Sequence, residues 1–197
     1  MANWIDIEHE IVEQTAPTDE PIALSEAKAF LRVDQNTHDS LISQLIATAR
    51  RRVESDTGRS LKNTTWDLTA DRFGDERIIR VPRVPLVSVT HIKTYDEDDA
   101  ASTFSSSSYR VDTALGRIAL NDDEDWPTDL RSLGAVSIRF VAGYGTDSDD
   151  VPQELKLAMY QLLTHWFENA DPNVPQESVN SAYGSHIAAY RLGQHFG

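Results

Sequence analysis

Three acidic runs, Asp96–Asp99, Asp122–Asp125 and Asp147–Asp150, have the carboxylate density of a cation site. A helix–loop–helix calcium loop needs carboxylates at alternating positions, a Gly at the sixth and a Glu at the twelfth. The run from Asp147 has Val151-Pro152 where that Gly belongs. Solvated turns, and a helix N-terminus that favours negative charge, account for all three runs. The six His residues are scattered outside any metal-ligand signature, and His165 sits at the boundary of an apolar stripe. Gly143-Tyr144-Gly145 has no Lys-Ser/Thr after it, and Asp147, Asp149 and Asp150 would repel a phosphate. No Ser stands in a Gly-x-Ser-x-Gly turn, and without Cys there is no thiolate nucleophile or ligand. The expectation is a protein that is not an enzyme and carries no metal or other cofactor.

The exposed aromatic residues carry more. Trp126-Pro127 and the late Tyr183, Tyr190 and Phe196 lie in segments otherwise too polar to bury them. A C-terminal segment with Tyr, Arg and Phe has the composition of an interface anchor. The alternative is that this segment folds back on its own domain.

The elements that must position these residues fall into three zones. Up to about Leu61 the pattern is helical. A helix over 24–33 has Ser25 as candidate N-cap, and a second runs over 38–57 with Leu41, Ile42, Leu45, Ile46, Ala49 and Val53 as its stripe. Arg50, Arg51 and Arg52 stand toward the C-terminal end of that helix, and Gly58 suits the position after it. From 64 to 141 the chain is β-like: Leu86–Tyr95 is the longest run, and Tyr109–Val111 with Arg117–Leu120 reads as a hairpin. Val136, Ile138 and Phe140 alternate as the buried side of a strand. Asp96 to Ser108 reads as a flexible hairpin loop. A strong helix over 152–169, with Pro152 near its first turn, carries Leu155, Met159, Leu162, Leu163, Trp166 and Phe167. The predicted fold is α+β, a helical bundle core with a β-rich region inserted between the N-terminal helices and the long C-terminal helix. The domain is expected to span 1–169, with 170–197 as a C-terminal tail or arm.

The 197 residues suit one domain. With 40% hydrophobic and 25% charged residues the composition is that of a globular protein. The net charge of −14 argues against wrapping nucleic acid, which needs clustered Lys and Arg. The acidic N-terminus lacks the basic and apolar regions of a signal peptide, and no apolar run reaches the roughly 18 residues of a membrane span. The expected setting is therefore cytosolic, with no membrane partner.

Four stretches in order resemble one family. They are Pro21–Asp34 with the helix ending Arg50-Arg51-Arg52-Val53-Glu54 and then Thr57–Leu61; Val81–Thr90 leading to Tyr95; Trp126-Pro127, then Val136–Phe140 into Ala142–Gly145; and Val151-Pro152 with the following helix, then Tyr190-Arg191. The chain is similar here to the head–tail connector (adaptor) proteins of long-tailed bacteriophages and gene-transfer particles. The resemblance implies a structural virion protein at the head–tail interface. It would form a dodecameric ring under the portal protein, a monomer when free, that extends the DNA channel without specific DNA binding. That ring would give a platform to the stopper or tail-terminator protein. Tyr190, Arg191, His195 and Phe196 are the portal-docking candidates, and Arg50, Arg51, Glu54 and Trp126 the ring-packing candidates. The rival readings are a tail-terminator or other head or tail completion protein, and a metal-dependent hydrolase built on the acidic runs.

Overall fold

The computed structural model describes residues 7–169 and 177–192. They divide into two compact units: one made of 7–16 and 63–143, the other of 17–62, 144–169 and 177–192. The strands are β1 (His9–Thr15), β2 (Thr64–Ala70), β3 (Ile78–Arg80), β4 (Leu86–Tyr95), β5 (Ala101–Phe104), β6 (Tyr109–Asp112), β7 (Arg117–Leu120) and β8 (Val136–Ala142). The helices are α1 (Leu24–Leu31), α2 (Asp39–Thr57), α3 (Gln153–Glu168) and α4 (Glu177–Ile187). Among the described residues no helix is long and apolar enough to cross a membrane.

Among the described residues, all strands belong to the first unit. β1-β2-β8-β4-β5 form one antiparallel sheet and β3-β7-β6 a second. Strict alternation decides which face is buried, because successive side chains point to opposite sides. Trp66 and Leu68 of β2 face Phe140 and Ile138 of β8, and Ile92 of β4 flanks Ile138 on the other side. These residues share a core with Ile79 and Ile118 of the small sheet and with Val81, just after β3. On the opposite face the β2–β8 register sets Asp67 beside Arg139, whose Nε and Nη2 donate to its two carboxylate oxygens at 2.7 and 2.6 Å. Gly116, at φ +61°, lets the β6–β7 hairpin close without the steric cost a side chain meets there.

This arrangement corrects the predicted fold class. The β-rich region is not an appendage of a helical bundle; it is a sheet-rich body with its own hydrophobic core. The helix over 152–169 is real as α3, but α4 follows it, so α3 is not a long C-terminal helix. Two strands lie where none was expected: β1 in the zone read as helical, and β5 in the loop after Asp96.

Among the described residues, the second unit holds all four α-helices. Ile42, Ile46, Ala49 and Val53 of α2 pack with Leu155, Ala158, Met159, Leu162 and Leu163 of α3. α1 starts at Leu24, one residue before Ser25, which is therefore not its cap. Ala23 stands in the cap position, and its N–H donates to the Glu26 carboxylate at 2.8 Å. Pro152 precedes α3 at its cap position, where a missing N–H costs nothing. α2 ends at Gly58, whose φ of +71° is the left-handed conformation that closes helices.

Arg50 and Glu54 are turned inward, 3% and 4% exposed. Arg50 Nη1 donates to Glu54 at 2.9 Å, and Arg50 Nε donates to Glu20 at 2.8 Å. The second Glu54 oxygen accepts the Leu61 N–H at 2.8 Å. A buried charge is tolerated only when it is paired in this way, and removing one partner strands the rest. Glu54→Ala is expected to destabilise the protein by about 3–5 kcal/mol. Replacing the exposed Arg51 by Ala should change stability by less than about 0.5 kcal/mol. Equilibrium urea unfolding of the two variants beside the parent chain checks both values.

Candidate functional site

The C-terminal segment, singled out for its aromatic residues, folds back onto the helical unit as far as Leu192. Tyr183 and Ile187 of α4 are buried with the α2 and α3 stripes. The Tyr183 hydroxyl donates to Asp56 at 2.8 Å, and Asp56 also takes the Arg52 guanidinium at 2.8 Å. Burial first, and then the Asp56 carboxylate, hold the Tyr183 phenol far above its ordinary pKa.

After α4 a short 3-10 turn (Ala188–Tyr190) brings the chain against the loop that follows α2. Arg59 is the hub of this clasp. Its Nε donates to the Tyr190 carbonyl at 2.6 Å, its Nη1 donates to the Tyr144 hydroxyl at 3.2 Å, and its guanidinium carbon lies 5.8 Å from the Tyr190 ring centre. The Tyr190 hydroxyl reaches Glu154, in the first turn of α3, at 3.0 Å. The Leu192 N–H donates to the Thr57 carbonyl at 3.0 Å, and the Leu192 side chain covers Gly58. A Cβ on Gly58 would come within 2.8 Å of Leu192 Cδ1, so this glycine serves both the turn and the close approach.

The portal-docking candidates thus have different surroundings. Tyr190 is half-buried in the clasp, and Arg191 is exposed, with its N–H on the Ile187 carbonyl at 3.1 Å. His195 and Phe196 lie outside the described residues. The ring-packing candidates also differ. Arg50 and Glu54 are spent inside the helical unit, whereas Arg51 is exposed. Trp126 belongs to the sheet unit, stacked on Phe73 with ring centres 4.5 Å apart and tilted against Phe104 at 5.4 Å. Its indole N–H donates to the Glu76 carbonyl at 3.1 Å, and it lines an open cavity of about 720 Å³ with Arg72, Arg77 and Arg131.

Sequence reasoning missed Arg59 and Glu154. The cue that could have found them is the pairing of an Arg just after the α2 terminator with a Tyr-rich C-terminus. Gly143-Tyr144-Gly145 supplies the clasp rather than a phosphate loop: Tyr144 meets Arg59, and a Cβ on Gly145 would strike the Asp150 carboxylate.

The acidic runs are occupied by local structure. Asp96 accepts the N–H groups of Asp98 and Ala100, Arg131 pairs with Asp99, Arg77 pairs with Asp125, and Asp150 accepts the Asp147 N–H. Among the described residues no three His, Asp or Glu side chains converge as a metal site.

A family model for the head completion protein matches residues 20–177. The chain belongs to that family. The match includes α1 to α3 and strands β2 to β8, and it stops at the first residue of α4, so Tyr183, Tyr190 and Leu192 lie beyond it. Solved structures are similar over nearly their whole length. A chain from the virion of the native gene transfer agent (GTA) particle aligns at a TM-score of 0.77 with 18% identity, covering 94% of this chain and 98% of that one. Chains from the neck of the empty GTA particle computed with C6 symmetry and from the neck of the native particle computed with C12 symmetry give 0.76 and 0.71, at 20% and 21% identity. Each of these covers 94% of this chain and 99% of its own. At such identities the likeness is one of fold. No curated protein sequence matches the chain.

The clasp carries a pH signature. The Glu154 carboxyl is held below its ordinary value, first by its own backbone N–H and then by the Tyr190 hydroxyl. A carboxyl depressed by folding stabilises the clasp above its unfolded pKa and loses that contribution as pH falls through the folded value. Tyr190→Phe is therefore expected to move the Glu154 titration up toward the ordinary carboxylate range. NMR titration of the Glu154 side chain in both proteins reads that displacement.

Proposed function

We propose that this head completion protein is a head–tail connector. It docks under the portal, closes into a ring that lengthens the DNA channel, and offers its far side to the stopper or tail. Its role is structural, with no reaction catalysed and no cofactor held. The observation that carries this reading is the family match over residues 20–177, joined to a fold shared along almost the full length of GTA virion and neck chains. The neck structures were computed with sixfold and twelvefold symmetry, which supports a ring as the working assembly.

The charge of the chain suits a channel. A net −14 leaves DNA phosphates without a neutralising surface, so DNA passes without being held. The work of binding falls to protein contacts. On this reading the C-terminal segment docks the portal, with Tyr190, Arg191, His195 and Phe196 as its anchors, and the clasp aims it from a fixed point at Leu192.

That fixed point determines where a truncation can be made. Cutting after Pro172 would remove Tyr183 and Ile187 from the helical core, so it tests folding as much as docking. A chain ending at Leu192 keeps both residues and the Leu192 hydrogen bond to Thr57.

The deciding experiment is cosedimentation with DNA-filled heads that carry portal and lack tails. The full chain is expected to bind saturably, and binding should vanish on heads without portal. The chain ending at Leu192 keeps Tyr190 and Arg191, so it should keep its far-UV circular dichroism and lose the part of the binding that His195 and Phe196 supply. Absence of binding by the folded full chain would overturn the connector reading. Undiminished binding by the truncated chain would remove His195 and Phe196 from the portal contact.

A further inference from the structure

Among the described residues, two helix faces of the helical unit are left uncovered, and they point in opposite directions. α2 and α3 pack with their apolar stripes toward each other, so the residues opposite each stripe look away from the pair. On α2 these are Leu41, Gln44, Thr48, Arg51 and Ser55, all exposed. On α3 the outward residues include Leu157 and Glu168. Beside them α1 lays Phe30 on Tyr160 with ring centres 4.4 Å apart. Phe30 is 50% exposed and Leu157 37%, which leaves an aromatic and aliphatic surface in water where an interface anchor would be.

The two faces are complementary in charge. Arg51 has no ion pair among the described residues, and no carboxylate stands among its outward neighbours on α2. The other face carries Glu168 and, next to Tyr160, Glu26. Each face set against its own copy would bring like charges together, which a specific contact avoids. Set against each other they pair a cation and Leu41 with carboxylates, Phe30 and Leu157. Two different faces on opposite sides of one body are what a head-to-tail ring requires.

We propose that the occupant of the Phe30–Tyr160–Leu157 face is the α2 face of a second copy, with Arg51 directed at the acidic rim around Phe30 and Leu157. The proposal rests on the connector reading and gives its ring a contact. The uncovered faces then become buried only when neighbours assemble, and a copy bound to the portal raises the affinity of the next.

The test is a binding titration of full-length protein on portal-bearing, tailless heads. Arg51→Glu damages one face and Leu157→Glu the other, and thermal melting confirms that each variant is folded. Gln44→Glu replaces Arg51→Glu should that variant melt early. The parent chain is expected to bind cooperatively. Each variant should bind with cooperativity lost and half-saturation about tenfold weaker, a difference of about 1.4 kcal/mol. Parental cooperativity in either variant would overturn the assignment. So would complete loss of binding, including of the first copy, because these faces would then be touching the portal. Non-cooperative binding by the parent chain would reject the neighbour contact while leaving portal docking intact. No binding by the parent chain would instead reject the connector reading beneath it.

Discussion

The helical unit depends on one buried carboxylate. Glu54 cannot be taken out of water unpaired, since an isolated buried charge costs several kcal/mol even after relaxation. Its two oxygens are met by Arg50, one turn earlier on α2, and by the Leu61 N–H beyond the helix end. Arg50 in turn reaches Glu20, ahead of α1. The segment before α1, α2 itself and the loop after it are thereby held to one point, and the turn at Gly58 is fixed between two of its anchors. The loop so placed carries Arg59, and with it the clasp on Tyr190. A polar knot inside an apolar core thus sets the direction in which the C-terminal segment leaves the helices.

The same knot shows why part of the site was illegible beforehand. Charged residues on a helix are exposed by default, so Arg50 and Glu54 read as surface, and partners outside α2 help to turn them inward. Neither Glu20 nor the Leu61 N–H announces itself by local spacing. The strongly periodic elements were legible: α2, α3, β4 and β8 lie within a residue or two of where their patterns put them. β1 was not, because an edge strand with most side chains in solvent has no apolar alternation to find. Its His-Glu-Ile-Val-Glu-Gln-Thr sequence buries no residue fully. β5, with Ala101, Ser102, Thr103 and Phe104, is an edge strand of the same kind.

The fold class failed for a related reason. Helical patterns flanking a β-rich stretch suggest helices at the centre and strands as an insertion. The pattern along a chain does not say how many cores the strands make among themselves. β2, β8 and β4 bury a common face against the small sheet, and that face is complete without the helices. Alternation predicted which residues are buried in β8; it could not predict that β1, almost fifty residues before β2, would extend the sheet.

Charge sets the conditions under which such a chain could assemble. Copies carrying −14 repel one another, and at physiological ionic strength that repulsion is screened over about 8 Å. A contact between an Arg51 face and a Glu168 face acts within that distance, so it favours neighbours already held close and does little to bring free copies together. A docking surface that concentrates copies by way of their C-terminal segments would supply the missing proximity, as effective concentration does for any tethered pair. On the proposed connector reading, the acidic character that would keep DNA from adhering and a dependence of ring closure on a portal template would have one physical origin. The repulsion between like-charged copies is overcome only where several short-range contacts are presented together.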